Sequence, residues 1–349
     1  MEFVTDGMLY AFAGMAGGVV LGLAARLGRF CTLGAIEDLL YGGDDTRMRM
    51  WGLAIATAMG ATFAMVGAGI FALEETIYHQ AAFSPLAAIF GGWLFGYGMA
   101  LSGNCGYGAL ARMGGGDIRA FVMVLVLGVS SYVALSGPLA PMRIALVDMT
   151  RLPVSSSGYA QVLSSLTGIS MLAWGGVFAV AIAVVCLRAP TFRAQPAALF
   201  WGVVVGLAIA SGFGLSAWVT HVTFEAGRVE GHTFSAPIGE SLIYWMTSTA
   251  GSMTFATGSV TGVVAGAFAG SLIKGHFRWE ACEDPRELKR QLVGALLMGC
   301  GAALAVGCTV GQGLSAIATL SLGAPLAMAG IFIGARFGLR QLIEGLASP

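Results

Sequence analysis

Charge is what this sequence has least of. Its 349 residues hold 18 Lys and Arg and 18 Asp and Glu, 10% together, and the signs cancel to zero. Soluble domains carry roughly 25% charged residues. Here 57% of residues are hydrophobic and the mean hydropathy is +0.81. A chain this apolar is predicted to sit in a lipid bilayer. The zero balance leaves no basic field for nucleic acid. No G-x-x-x-x-G-K-[ST] loop occurs, so no nucleotide-driven transport is predicted. The six cysteines, Cys31, Cys105, Cys186, Cys282, Cys300 and Cys308, form no C-x-x-C pair and no Cys/His cluster with zinc spacing. Neither a metal site nor a cofactor is therefore expected. The N-terminus, MEFVTDGMLYAFAGM, lacks a basic n-region and does not read as a cleaved leader.

Glycine, in contrast, is abundant, with 53 residues, as suits close helix packing in lipid. Apolar runs of about 17–25 residues are long enough to cross a bilayer. Nine are read, near 8–27, 50–73, 84–102, 119–137, 168–187, 197–213, 254–273, 288–305 and 323–341. If the N-terminus lies outside, 15 of the 18 basic residues fall on cytoplasmic segments and 3 (Arg143, Arg151 and Arg228) on outer ones. The positive-inside rule then predicts N-terminus out and C-terminus in.

Two stretches repeat. GYGMALSGNCGYG (96–108) and GCGAALAVGCTVG (299–311) share G-x-G-x-A-L-x-x-x-C-x-x-G at an offset of 203. VVLGLAARLG (19–28) similarly lies over VVVGLAIASG (203–212). Each pair falls at the same place in a set of four spans, and five spans separate the copies, an odd number. The second set is therefore predicted to be inverted, with any site at the interface of the two. The expected organisation is one membrane domain: repeat 1 over 1–138, a link with the fifth span over 139–196, and repeat 2 over 197–349. A rival match, GVVLGLAA (18–25) with GVVAGAFA (262–269), would give a repeat that is not inverted.

Residues 103–118 and 306–322 are too short to cross and too apolar for surface loops, which predicts re-entrant half-helices. Irregular backbone is tolerated at membrane depth only inside protein or along a cavity. Glycines such as Gly106 and Gly307 permit the turns, and half-helix N-termini offer amides to an anion. Cys105 and Cys308 would stand at those turns as neutral, polarizable donors, with Asn104 and Thr309 beside them. The alternative is that both cysteines merely fill space beside glycine contacts. In RLGRFCTLGAIEDLL (26–40), Arg26 and Arg29 flank Cys31. They form either an anion vestibule or ordinary basic anchors. The Ser/Thr-rich stretch 241–257 either lines a polar path or bonds its hydroxyls back to its own helix, the second reading being preferred. His221, Glu225 and His232 read as polar residues of an outer loop, and EDPRELKRQ (283–291) as a solvated loop.

RLGRFCTLGAI, FGYGMALSGNCGYGALARMGGG and MGCGAALAVGCTVGQGL, in that order, resemble the YeeE/YedE family of sulfur-transport membrane proteins over nearly the whole chain. The resemblance implies an all-α polytopic protein of the bacterial inner membrane. It would have about nine transmembrane helices and re-entrant half-helices in two inverted repeats around an hourglass-like constriction. It also implies uptake of thiosulfate or a related sulfur anion, with Cys105 and Cys308 on the path. A third family cysteine is expected between the sixth and seventh spans, but 214–257 contain none, so Cys31 or Cys300 would take its place. A small cytoplasmic sulfur-carrier protein is an implied partner. The alternatives are a membrane-embedded sulfurtransferase or redox relay, a permease for another sulfur or selenium compound, and a passive channel.

Overall fold

The computed structural model describes residues 6–154, 158–223, 229–249, 251–281 and 284–345. Among them the chain is helical, with three isolated β-bridges and no strand. A first set holds α1 (Asp6–Leu27), α2 (Thr32–Glu37), α3 (Thr46–Gly67), α4 (Ile77–Gln80), α5 (Pro85–Ser102), α6 (Gly106–Gly114) and α7 (Ile118–Leu135). A link follows with α8 (Ala140–Thr150), α9 (Tyr159–Thr167), α10 (Met171–Leu187) and α11 (Pro190–Arg193). The last set is α12 (Pro196–Thr223), α13 (Ala236–Thr247), α14 (Phe255–Ile273), α15 (Pro285–Ala305), a half-helix wound as a π-turn over Gly311–Ala316, and α16 (Gly323–Ile343).

Eight of the described helices are long and apolar enough to cross a membrane, and the protein is an all-α polytopic membrane protein. The ninth predicted span is α10, 17 residues and so about 25 Å at 1.5 Å per residue. It runs antiparallel to α3 along most of that helix, with Leu172 opposite Gly67, Ala179 opposite Gly60 and Cys186 opposite Gly52. Arg49 Nη1 closes the pair by donating to Val185 O at 3.0 Å. Two boundaries differ from the sequence reading. α12 runs on to Thr223 because nothing in GLSAWVTHVT breaks a helix. The stretch read as a loop at 283–291 is mostly the first turns of α15, since Asp284 caps the Arg286 amide at 2.8 Å and Pro285 occupies the first helical position.

The packing pattern survives exchange of the two sets. α1 lies along α14 as α12 lies along α3, and α5 lies along α16 as α15 lies along α7. α6 packs on α14 and α7, and the second half-helix on α3 and α16. α2 and α13 correspond in the same way.

The α1–α14 contact shows why glycine is abundant. Gly14, Gly18 and Gly22 recur every four residues on α1, and Gly258, Gly262 and Gly266 do so on α14. A Cβ on Gly262 would fall 2.5 Å from Met15 O, and one on Gly258 would collide with the Ala11 carbonyl. The backbones touch, as small-residue stripes allow. This explains the rival match of 18–25 with 262–269: the two segments are alike because they pack on each other, Gly18 against Gly262.

The half-helices are held at their far ends. Ile118 N donates to Glu280 O and Glu280 N to Gly116 O, both at 3.1 Å, which fixes the turn after α6. Buried Asp117 caps α7 there and pairs with Arg112 at 2.8 Å and Arg119 at 3.3 Å. At the opposite end Tyr159 N donates to Leu320 O at 2.8 Å, which fixes the turn after the second half-helix.

Candidate functional site

Two cysteines head the two half-helices. α5 stops at Gly103, whose φ of +71° breaks the helix, and Cys105 becomes the N-cap of α6. Its thiol accepts the Gly108 amide at 3.4 Å, in the place a Ser or Thr hydroxyl normally takes. α15 stops at Val306 (φ +58°) and Gly307 (φ +152°), and Cys308 follows. The Cys308 thiol accepts the Gly311 amide at 3.4 Å, the Phe234 amide at 3.2 Å, and lies 3.5 Å from Thr233 Oγ1. Both cysteines are fully buried and free.

The structure brings several predicted residues together. Thr309 is buried, and its Oγ1 lies against the Cys105 thiol. Cys105 is also within electrostatic reach of both Cys308 and Cys31. Gly106 packs on the Phe234 carbonyl, Asn104 is buried beside Gly108, and Gly307 lies against Gln312. Tyr107 anchors α6 by donating to Leu21 O at 2.5 Å, and its ring packs 5.5 Å from Phe234.

Other predicted residues go elsewhere. The Arg26 guanidinium lies on the backbone of Gly115 at the end of α6, and its Nε is buried without a partner. Arg29 is exposed at φ +54°. The cation beside Cys31 is instead Arg47, whose Nη1 occupies the space a Gly34 side chain would fill. Cys186 is buried against Gly52, far along α3, Cys300 is half-buried on α15, and Cys282 lies outside the described residues. Ser241 and Thr247 donate back to Pro237 O and Ile243 O, as read from the sequence.

His232 corrects the sequence reading. It is not a surface loop residue but fully buried, with Nδ1 2.7 Å from Ser259 Oγ and its ring between Phe234 and Phe255. His221 sits in the last turn of α12, 3.1 Å from Ile70 O, and Glu225 lies outside the described residues. Position 235 answers the search for a third cysteine between the sixth and seventh spans. Phe234–Ser235 precedes α13 as Phe30–Cys31 precedes α2, so serine stands where the pattern would put a thiol. The signal was a two-residue Phe-Cys/Phe-Ser match, too short to notice alone.

A cavity of about 660 Å³ opens beside the Cys308 turn. Tyr78 and Gln312 stand in its wall, and the buried Tyr78 Oη lies toward Gly311 of the second half-helix. Arg143, Arg151 and His79 also line it, and among the described residues no Asp or Glu does. Such a vestibule attracts anions. None of the described Arg143 or Arg151 contacts is with a carboxylate. Arg143 donates to the Ala134 and Leu135 carbonyls at 3.1 and 3.3 Å. Among the described residues no three His, Cys, Asp or Glu side chains form a possible metal site.

Residues 27–337 match the family described as sulphur transport. The thiosulfate transporter TsuA of Escherichia coli strain K12 is 24% identical over 320 residues, 86% of each chain. The thiosulfate transporter TsuA of Spirochaeta thermophila is 23% identical over 335 residues, 93% of this chain and 96% of its own.

Proposed function

The chain belongs to the sulphur-transport family, and from that premise we propose that it is an inner-membrane permease taking up a small sulfur-containing anion, thiosulfate first. The anion enters the arginine-bearing vestibule, passes Cys308, Cys105 and Cys31 in that order, and leaves on the cytoplasmic side. One observation carries this reading: each half-helix opens beside a buried cysteine whose thiol accepts one of its first amides, and Cys105 of the first lies against Thr309 beside the second. N-terminal amides favour an anion, and neutral thiols donate weakly to it without adding negative charge. The exchangeable packing of 1–138 and 197–349, with 139–196 as the link, supports the inverted-repeat arrangement. The uneven spread of basic residues supports an outer N-terminus and cytoplasmic C-terminus. A cytoplasmic sulfur-carrier protein fits as the recipient of the anion.

Uptake of labelled thiosulfate into proteoliposomes tests the proposal. The wild-type protein is expected to transport it, to exclude chloride, and to lose transport with Cys105→Ala. Equal flux of unrelated anions would instead mark a passive channel, and a persulfide trapped on Cys105 would mark a sulfurtransferase.

A further inference from the structure

Two buried polar atoms near Cys31, on Thr32 and Trp51, have no hydrogen-bond partner among the described residues. Thr32 Oγ1, next in the chain, is buried and has no hydrogen-bond partner. Trp51 is 4% exposed, stacks on Phe30 at a ring separation of 4.8 Å, and its Nε1 has no acceptor. Arg47 lies one turn before Trp51 on α3, hence on the same face. Its guanidinium reaches over Gly34 toward Cys31. Its nearest ion-pair contact is Nε to Asp38 Oδ2 at 3.0 Å, and no other carboxylate pairs with it among the described residues.

Unpaired buried donors are uncommon in a native fold and call for an explanation. We propose that Arg47, Trp51 and Thr32 with Cys31 form an inner anion site, and that Asp38 is the built-in competitor that empties it. This rests on the transport reading above and names the residues of its last step. A sulfur oxyanion leaving Cys105 would meet the Cys31 thiol with its sulfur and the Arg47 guanidinium with its oxygens, a geometry to which a guanidinium is suited. A divalent anion outcompetes the single charge of Asp38 for Arg47 while it is bound. The Arg47–Asp38 pair is about a third exposed at each side chain and so is weakly held. Glu37 and Asp38 stand just beyond. Once water reaches the anion, these two carboxylates favour its departure, and Asp38 reclaims Arg47. Arg26 and Arg29 are not required.

Right-side-out membrane vesicles containing the full-length protein, with labelled thiosulfate outside and unlabelled thiosulfate inside, test this. Arg47→Gln is expected to lower the maximal uptake rate at least tenfold while the outer KM stays within twofold. Arg47→Lys should recover part of the rate. Asp38→Asn, which leaves Arg47 free, should make internal thiosulfate inhibit uptake at a concentration about tenfold lower than in wild type. Arg47→Gln combined with Asp38→Asn carries no unpaired carboxylate and guards against misfolding of the single variant. It should be slow and insensitive to internal thiosulfate. Wild-type rates in Arg47→Gln, or an unchanged internal inhibition in Asp38→Asn, would overturn the inner site while leaving transport intact. Absence of uptake in wild type would instead sink the transport reading itself.

Discussion

The Cys308 thiol accepts the Phe234 amide at 3.2 Å across 74 positions of sequence. It therefore joins the second half-helix to the segment that leads into α13. On the proposed transport path Cys308 has two separable jobs: it closes a buried amide, and it offers sulfur to the passing anion.

Substitution separates these jobs. Cys308→Ala leaves the Phe234 and Gly311 amides without their acceptor, and an orphaned buried donor costs about 1–3 kcal/mol. Cys308→Ser keeps an acceptor at a shorter reach. The expected outcome is a clear loss of thermal stability in detergent for alanine and little loss for serine. Both should reduce thiosulfate uptake more than tenfold. Serine with full uptake would show that sulfur at this position is dispensable.

Arg143 and Arg151 line the cavity that the proposed path enters first, so their removal should weaken capture rather than passage. Arg143→Gln with Arg151→Gln is expected to raise the KM for thiosulfate severalfold and leave the maximal rate within twofold. The difference from wild type should shrink as salt is added, because exposed charges are screened over about 8–10 Å at physiological ionic strength. Initial uptake rates at low and high salt check this.

His79 supplies a pH dependence. Its Nε2 lies 3.0 Å from the Thr319 carbonyl, at the end of the second half-helix, and so donates in the neutral form. Burial holds its pKa below the ordinary 6.5, although the Thr319 carbonyl and Glu74 oppose this. A base with a depressed pKa binds fewer protons folded than unfolded. Its contribution is complete above about 6.5 and is lost as pH falls through the folded value. The melting temperature in detergent is expected to fall more between pH 7 and pH 5 for wild type than for His79→Gln. Parallel curves would remove His79 from the account.

Composition sufficed to read the membrane class, and the glycine-bounded cysteine segments were legible because a break inside an apolar run has few explanations. What stayed hidden was set by contacts distant in sequence. Arg26 and Arg29 are Cys31's neighbours along the chain, yet the left-handed turn at Arg29 carries them away, and Arg47 arrives from the next helix. His232 stands in a polar stretch that resembles a loop, and only its burial against Gly17, Gly212 and Phe255 shows that it is core. The vestibule arginines looked like stray exceptions to the charge rule. Their grouping depends on α8 packing against α5, α7 and α15.

Two glycines distinguish packing from composition. Gly258 on α14 lies on the Ala11 carbonyl of α1, with no room for a Cβ, whereas Gly176 on α10 has nothing within 4 Å of the place its Cβ would take. Gly258→Ala must push the helices apart, and overpacking of this kind costs about 1–3 kcal/mol. Gly176→Ala adds only helix propensity, a gain of up to about 1 kcal/mol. The consequence for transport is asymmetric as well. α6 rests on α14, and Tyr107 ties it to Leu21 of α1, so displacing either helix moves the Cys105 turn. Gly258→Ala is expected to lower both melting temperature and uptake, and Gly176→Ala to preserve both. Equal tolerance at the two positions, measured on the purified protein and in proteoliposomes, would mean that the α1–α14 contact does not set the constriction.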